Sequence, residues 1–307
     1  MEVDIRASVH IVGSKLRYAE VEHYGGQRRL LRLGSCEFDY DAARQLFGSG
    51  INPDLEPIAE AVDDVFSRLA SEELQVVLHP GNVLCFNSVS GTAASQDELT
   101  SQVKGEAQYL MNAPQHGVDV SARPLATTSE SSDEQWYSVV AFPSQVKQRL
   151  KKAFSRLNGV AWSLQPGPQC AAEVFQQLRE QKNSGNDELR GFDLVVGWHE
   201  DCVNFSVLRG GDVALSQSMS FMDPADTAYF GLQLFEALDL DQEDCTGVWL
   251  YGDVEQVADF ELLAVLSGEL PKLLNPIELV EIEDSSLLSD FNASGYVPAM
   301  GAVLQSS

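Results

Sequence analysis

Apolar and polar residues near the start of the chain follow the pattern of antiparallel strands. Apolar residues cluster at positions 9–12, 16–23 and 30–33, and Gly25 and Gly26 separate the last two clusters. A glycine pair between two such runs is typical of a hairpin turn, because glycine adopts the positive φ angles that tight turns need. The pattern therefore predicts three consecutive strands.

A helix and a short strand are predicted next. Residues 55–69 place apolar side chains on one helical face. The members of this face are Ile58, Ala61, Val62, Val65, Phe66 and Leu69. Residues 74–78 form an apolar run that stops at Pro80, which predicts a buried strand.

A strand and a capped helix are predicted in the middle of the chain. Residues 83–89 predict a strand, and the stretch from Ser95 to Glu98 is typical of a capping box. The helix that this box opens should run to Leu110 and end at residues 112–114.

A polar loop, a strand and a basic helix come next. Residues 127–134 are dominated by Ser, Thr, Glu and Asp and predict a solvated loop, and residues 136–142 predict a strand. Residues 144–157 predict an amphipathic helix that carries a quarter of all Lys and Arg. Its cations are Lys147, Arg149, Lys151, Lys152 and Arg156. Either a solvated face or a docking face for an acidic partner explains them.

The opening pattern then recurs after a polar, glycine-containing connection at residues 183–190. The second copy has three strands, a helix and a further strand, at residues 194–196, 203–208, 213–221, 226–238 and 248–250. The same order of three strands, helix and strand occurs in the first part of the chain. This repetition predicts a duplicated α/β unit.

Several short segments carry a resemblance to a known family. They are residues 15–21, residues 95–99 with 106–109, residues 139–143 and residues 296–303. With the duplicated unit, they resemble the actin-like ATPase superfamily, and within it the PilM and FtsA branch. PilM-like proteins belong to the cytoplasmic platform of type IV pili, and a related module is found in the type II secretion protein GspL.

The resemblance implies a fold and a division of the chain. The expected fold is α/β, with duplicated actin-like (RNase H-like) domains, mixed sheets flanked by helices and a small inserted α+β domain. The expected parts are a first actin-like subdomain at 1–80, an inserted subdomain at 81–160 and a second actin-like domain at 161–307. A closing helix near 296–304 is expected to return to the first part.

The loops that bind ATP in this superfamily are altered in this chain. The family pattern is D-x-G in each of two hairpin turns, where glycine lets backbone N–H groups reach phosphate and aspartate holds hydrated magnesium. The positions that match the first D-x-G hold His10, Ile11 and Val12, just before Ser14 and Lys15. Valine blocks the close approach, and histidine is a poor magnesium ligand.

The other two loops depart from the family pattern as well. The second D-x-G position holds Gly197, Trp198 and His199. The rings of Trp198 and His199 would enter the space for phosphate. The loop on the adenosine side keeps a single glycine, Gly252. We therefore expect a degenerate pocket, no catalytic residue, no cofactor and no ATP hydrolysis. ATP with magnesium is the alternative.

Other enzyme classes lack their motifs. The sequence contains no G-x-x-x-x-G-K-[ST] loop, no H-E-x-x-H pair and no G-x-S-x-G elbow. The densest cluster of metal-ligating residue types is His199-Glu200-Asp201-Cys202. Four consecutive residues cannot easily wrap one ion, so we interpret this cluster as a polar turn and expect no metal.

Composition adds two expectations. The 46 Asp and Glu against 20 Lys and Arg give a formal net charge of −26, which disfavours nucleic acid and anionic lipid as partners. The acidity is compatible with basic partners. Because the acids are spread along the chain, a source whose proteins work in high salt explains it equally well. The five cysteines are far apart and predict reduced, mostly buried thiols.

These observations predict a non-catalytic scaffold that is cytoplasmic or peripheral to the inner membrane through a partner. In the resembled family a groove near the inserted domain takes a peptide of a membrane protein, and Phe86 and Tyr109 are the groove candidates here. Core packing is the other role open to Phe86. The rival functions are an ATP-binding switch, an FtsA-like filament former and an orphan actin-like protein. No membrane-spanning or secretion segment is expected.

Overall fold

The computed structural model describes residues 3–48, 53–67, 70–91, 94–111, 117–125, 134–157, 160–182, 191–220, 223–283 and 292–305. The connection predicted at 183–190 and the helix end predicted at 112–114 lie outside these residues. The polar loop predicted at 127–134 lies outside them too, except for its last residue.

The first sheet grows from two hairpins. Strands β1 (Asp4–Val12), β2 (Lys15–Tyr24) and β3 (Gln27–Glu37) pair antiparallel in chain order. The second turn holds Gly25 and Gly26 at positive φ, as the sequence predicts. Two further strands, β4 (Glu73–Leu78) and β8 (Ala161–Pro166), extend the sheet in parallel, so that its order is β3-β2-β1-β4-β8.

Helices cover this sheet on both faces. The predicted helix is α2 (Glu56–Phe66), preceded by the short α1 (Ala42–Phe47), whose first turn is capped by the Asp41 carboxylate. A long helix, α5 (Gly167–Lys182), packs with α8 (Val297–Leu304), all of whose side chains are buried. Since Ser8 in β1 donates a hydrogen bond to the Ala299 carbonyl, α8 lies on the first sheet, where the resemblance expects the closing helix.

The second sheet repeats the first. Strands β9 (Phe192–Trp198), β10 (Cys202–Arg209) and β11 (Asp212–Ser220) are antiparallel neighbours. Strand β12 (Cys245–Gly252) lies parallel to β9, as β4 lies parallel to β1, and β13 (Lys272–Leu273) forms the edge. The predicted repeat is confirmed.

Two helices lie on the outer side of this second lobe. They are α6 (Thr227–Ala237) and α7 (Ala264–Ser267), and a 3-10 segment at Val257–Leu263 leads into α7.

The inserted part adds three strands and two helices. Strands β5 (Leu84–Gly91), β6 (Val118–Pro124) and β7 (Glu134–Pro143) join the second sheet because β5 pairs with β11. The helices are α3 (Gln96–Leu110), which covers one face of these strands, and α4 (Ser144–Ala153), which packs on α1 and α2.

The two sheets do not follow the domain boundaries expected from the sequence. The sequence analysis assigned residue 161 onward to the second domain, whereas β8 pairs with β4 of the first sheet and α5 packs beside it. The inserted strands, in turn, continue the second sheet. A change of sheet therefore occurs between α5 and β9.

Cysteine burial agrees with the composition. Cys85, Cys170, Cys202 and Cys245 are buried and Cys36 is half-buried, and all five are free thiols. Among the described helices none has the length and apolar character needed to cross a bilayer.

Candidate functional site

The first hairpin turns of the two lobes face each other across a cleft. One turn holds Gly13, at a φ of +53°, and Ser14; the other holds Glu200. The Ser14 hydroxyl donates to Glu200 Oε2 at 3.2 Å, and a Cβ added to Gly13 would lie 2.7 Å from the same oxygen. A carboxylate therefore sits directly against the turn where the resemblance places phosphate contacts.

The cleft beside these turns is acidic. It is a crevice of about 460 Å³, lined on one side by Asp39, Tyr40 and Asp41 and on the other by Glu200 and Asp201. Four carboxylates around one small crevice oppose the entry of a polyanionic ligand, because like charges at such distances repel.

Three histidines fill the space below the cleft. The ring centroids of His10 and His199 are 6.0 Å apart, and those of His79 and His199 are 6.2 Å apart. His10 and His199 are completely buried, and none of their ring nitrogens has a hydrogen-bond partner within the described residues. The Tyr251 hydroxyl, next to His199, also lacks one there.

Burial keeps the imidazole rings of His10 and His199 neutral. Burial, reinforced by the nearby His199 and His79, lowers the pKa of His10 well below its usual value. Burial, with a smaller contribution from His79, lowers the pKa of His199 to about 3. Neutral rings carry no positive charge with which to attract a phosphate.

His79, Asp201 and Cys202 bring three types of metal ligand together. Their ligand atoms lie within 4.8 Å of one another. His79 Nδ1, however, accepts a hydrogen bond from the Gly81 N–H at 3.0 Å, so the proton of the neutral ring is on Nε2, which donates to Asp201 Oδ1 at 3.1 Å. A protonated Nε2 has no lone pair for a metal, and the trio forms a hydrogen-bonded link between the lobes.

Lys15 and Arg17 are bound to an acid of the second lobe. Lys15 Nζ lies 3.6 Å from Asp253 Oδ1, and the Arg17 guanidinium pairs with the same oxygen. Burial opposes the ionisation of Asp253, but the Arg17 guanidinium holds its pKa below the ordinary value. Lys15 is therefore committed to an internal ion pair.

The remaining predicted pocket residues lie at the ends of three strands, Val12 in β1, Trp198 in β9 and Gly252 in β12. Val12 is buried at the end of β1, and Trp198 packs edge-on against Phe260 with ring centroids 5.0 Å apart. Gly252 has a φ of +101°, and a Cβ there would lie 2.1 Å from the Trp198 carbonyl oxygen. The strand ends are thus in direct backbone contact where the adenosine loop is expected.

A larger groove of about 880 Å³ lies between α1 and the inserted part. Apolar side chains from both sides line it, namely Phe47, Pro53, Met111, Val118 and Pro143. Its polar lining includes Asp41, Arg44, Asp54 and Asn82. Strand β6, which contributes Val118, has β7 as its one strand neighbour among the described residues.

The two groove candidates lie in different environments. Phe86 is 4% exposed and packs under α3 with Val103 and Val139, which makes it a core residue. Tyr109 is 84% exposed near the end of α3, two residues before Met111 of the groove lining. The groove residues themselves were not identified from the sequence, because α1 was not predicted.

Comparisons with known proteins agree on the fold. No family model matches the sequence, and no curated protein is significantly similar to it. The structure is similar to a chain of a solved PilM–PilN type IV pilus biogenesis complex, with a TM-score of 0.75, 16% identity and 97% of each chain covered. It is also similar to a Bacteroides thetaiotaomicron protein with an actin-like ATPase fold and unknown function. That match has a TM-score of 0.50, 11% identity and covers 91% of this chain and 93% of the other.

These likenesses show the fold. The chain has the actin-like ATPase fold, with two mixed sheets flanked by helices, and it resembles PilM in structure. The predicted fold class is confirmed.

Proposed function

We propose, with the actin-like ATPase fold as the premise, that this chain is a nucleotide-independent scaffold that binds a protein partner in the groove between α1 and the inserted part. It has no catalytic residue in this proposal and needs no cofactor. The partner is a peptide segment of another protein, in a type IV pilus or type II secretion-like envelope machine.

The position of Glu200 is the observation that best supports the proposed loss of nucleotide binding. Its carboxylate lies against Gly13 and accepts a hydrogen bond from Ser14, so a negative charge already occupies this turn. A bound triphosphate would have to displace it and then face Asp39, Asp41 and Asp201. The uncharged histidines below the cleft offer no compensation.

The groove supports partner binding. It combines a volume of about 880 Å³, apolar side chains from two parts of the chain and an edge of β6 that pairs with no other described strand. An extended peptide can pair its backbone with such an edge and place alternate side chains in apolar pockets. The similar PilM chain was solved in a complex with PilN, which supports a protein as the ligand. A cytoplasmic scaffold that meets an inner-membrane protein through its tail is consistent with this mode.

Nucleotide binding is tested by thermal unfolding with ATP or ADP and magnesium. We expect no change in Tm for the wild type, whereas a ligand at about 100 times its Kd would add about 2.7 kcal/mol. The variant Glu200→Ala reports whether the carboxylate is the main obstacle. A magnesium-dependent rise in the wild-type Tm would overturn this half of the proposal and favour a switch whose ligand faces Ser14, Lys15 and Gly252.

Groove binding is tested by selecting peptides from a displayed random library on the immobilised protein. We expect selected peptides to share regularly spaced apolar residues and to lose binding to Met111→Glu, which places a charge in the groove. Gln148→Glu, on the exposed side of α4, is the matched control and should bind as the wild type does. Selected peptides that bind both variants equally would place the binding site elsewhere.

A further inference from the structure

Exposed apolar side chains are concentrated on the outer side of the second lobe. Twelve large hydrophobic residues are exposed in the described part of the chain, and six of them lie between residues 229 and 273. These six are Tyr229, Leu232, Leu262, Val265, Leu270 and Leu273. The groove of the proposed function is in a different part of the molecule, between α1 and the inserted strands.

Four of these residues flank one helix contact. Helices α6 and α7 touch where a methyl group of Leu266 fits over Gly231; a Cβ on this glycine would lie 2.6 Å from Leu266 Cδ1. Tyr229 and Leu232 are three positions apart on α6 and lie on either side of Gly231 in sequence. Leu262 and Val265 are likewise three apart, just before Leu266.

Residues at this spacing are neighbours on a helical surface. Tyr229, Leu262 and Val265 are each more than half exposed. Together with Leu232 they form what we call the apolar patch, which extends over the junction of the two helices.

The surroundings of the patch carry charge of one sign. Residues 210–307 contain 18 Asp and Glu but one cation, Lys272, which is bound to Glu269 at 2.8 Å and lies over the Trp249 ring. Exposed acids within four positions of the patch residues include Asp226, Glu236, Asp259 and Glu261. None of these four has an ion-pair partner among the residues that the structure describes.

Apolar residues rimmed by unpaired acids suit one kind of ligand. A segment with apolar anchors loses water on the patch, and its flanking Lys or Arg residues meet the acids. Anionic membranes and nucleic acids carry the same sign of charge as the rim and are disfavoured.

A second copy of this chain fits the patch poorly. The basic helix α4 has the required charge, but its apolar residues Val146, Leu150 and Ala153 are fully buried. Its Arg149 is bound to the Gly48 carbonyl, and Arg156, three positions beyond its end, is bound to Glu56. It therefore has cations without apolar anchors.

We propose that the apolar patch is a second docking surface, which binds a cationic amphipathic helix of a partner protein. This surface is on the second lobe and is independent of the groove. With both sites occupied, the protein joins two partners across its two lobes.

Two labelled synthetic peptides test the patch. The first is an amphipathic Leu/Lys helix of about 18 residues, or five helical turns; the second keeps every lysine but has glutamine in place of leucine. We expect the first peptide to bind the wild type at least about tenfold more tightly by fluorescence anisotropy, because both peptides share the charge attraction but one alone covers the patch.

The variant Leu262→Gln/Val265→Gln removes apolar surface and leaves the charge unchanged. We expect it to bind the two peptides equally, with circular dichroism and Tm close to those of the wild type, since both side chains are exposed. The groove variant Met111→Glu should keep the wild-type preference, which separates this proposal from the proposed function. Leu270→Gln, outside the patch, is a further control.

Three results would overturn the proposal. Equal binding of both peptides to the wild type would mean that bulk charge alone attracts them. An unchanged preference in the double variant would place the peptide elsewhere. Sedimentation showing a wild-type dimer that the double variant converts to monomer would mean that a second copy covers the patch.

Discussion

Two buried histidines make the stability of the fold depend on pH. His10 and His199 are neutral in the folded state and have lowered pKa values, whereas in the unfolded chain a histidine titrates near pH 6.5. The unfolded state therefore takes up more protons below about pH 6.5, and the free energy of unfolding decreases as the pH decreases. For His199 this window extends down to a pH of about 3.

We expect the wild type to lose about 2 kcal/mol for each of these two histidines between about pH 7 and pH 5. This range lies above the ordinary pKa values of carboxylates, so the histidines dominate it. His10→Leu should lower the loss by about half. It should leave the stability near pH 7 unchanged or higher, because the His10 ring nitrogens make no hydrogen bond with the described residues that leucine would lose. Urea unfolding at constant ionic strength measures both quantities. The same pH slope in the variant and the wild type would contradict this assignment.

A single glycine determines how closely two helices approach. A Cβ on Gly301 of α8 would lie 1.9 Å from the Cys170 carbonyl oxygen in α5, and a backbone atom cannot move aside as a flexible side chain can. We expect Gly301→Ala to destabilise the protein by several kcal/mol, at the upper end of point substitutions. Gly105→Ala, at an exposed position of α3 with no atom within 4 Å of the added Cβ, is the control. Equal unfolding midpoints for the two variants in urea would show that α8 and α5 are not in this contact.

At this scale the sequence predicted part of the site. His10, Val12, Ser14, Lys15, Trp198, His199 and Gly252 were identified because each departs from, or borders, a motif with known spacing. Of these, Ser14 lines the cleft, and the rings of His10 and His199 are neighbours. His79 was not identified, since it is 120 positions before His199 and tertiary folding alone brings the two rings together. Glu200 was interpreted as part of a polar turn. Its contact with Ser14 depends on how the two lobes meet, which local patterns do not contain.

Among the elements, α3 has the most complete set of local signals. The Ser95 hydroxyl accepts from the Glu98 N–H at 3.3 Å, and the Glu98 carboxylate accepts from the Ser95 N–H at 2.8 Å. We expect Ser95→Ala to lower the free energy of unfolding by about 1 kcal/mol, because the first turn loses an acceptor for a backbone donor. Chemical denaturation with circular dichroism measures this cost. Ser101→Ala, at an exposed position within α3, should cost nothing, and a loss of the same size there would refute the capping role.

The interior of the same helix offers a gain of stability. Gly105 is exposed and helical, so its replacement by alanine restricts the unfolded chain without a clash. We expect Gly105→Ala to raise the free energy of unfolding by about 0.5–1 kcal/mol. Thermal unfolding measures the gain. A lower Tm would mean that α3 is not helical at this position.

Elements with strong periodicity were predicted, and those that depend on partners were missed. The three opening strands, α2, α3 and strands β9 to β12 were found within a few residues of most of their ends. Strand β13 was not predicted. Strand β6 was missed because its sequence, Val-Asp-Val-Ser-Ala-Arg-Pro, is short and holds three polar residues, and it gains its strand form by pairing with β7. The predicted helix at 144–157 ends earlier, at Ala153, because the chain turns there and Phe154 packs back into the core.

One missed helix did have a signal. Helix α5 carries Ala171, Val174, Phe175 and Leu178 at helical spacing, and all four are buried. The stretch also holds four glutamines, which weaken the contrast between its apolar and polar faces. The buried face opposite them is what places α5 against α8 and the first sheet.

For the whole molecule, the distribution of charge matters more than its total. Nineteen of the 20 Lys and Arg lie before residue 210, so the second lobe beyond β10 is acidic almost without compensation. The composition alone left two explanations of the acidity, partner binding and a high-salt source. The uneven placement of cations, together with the apolar patch, supports the first, because adaptation to salt does not require one lobe to lack cations.

Self-repulsion in this lobe gives the last prediction. Going from about 0.01 M to about 1 M NaCl shortens the Debye length from about 30 Å to about 3 Å, so the acids repel one another less and Tm should rise. Glu243→Gln/Glu255→Gln, at exposed positions of the second lobe, should reduce this rise. Lys147→Gln, which changes charge on α4 instead, should not reduce it. An equal rise in the wild type and both variants would assign the effect to general salt stabilisation. Unfolding of the wild type at low salt would restore the high-salt explanation of its acidity.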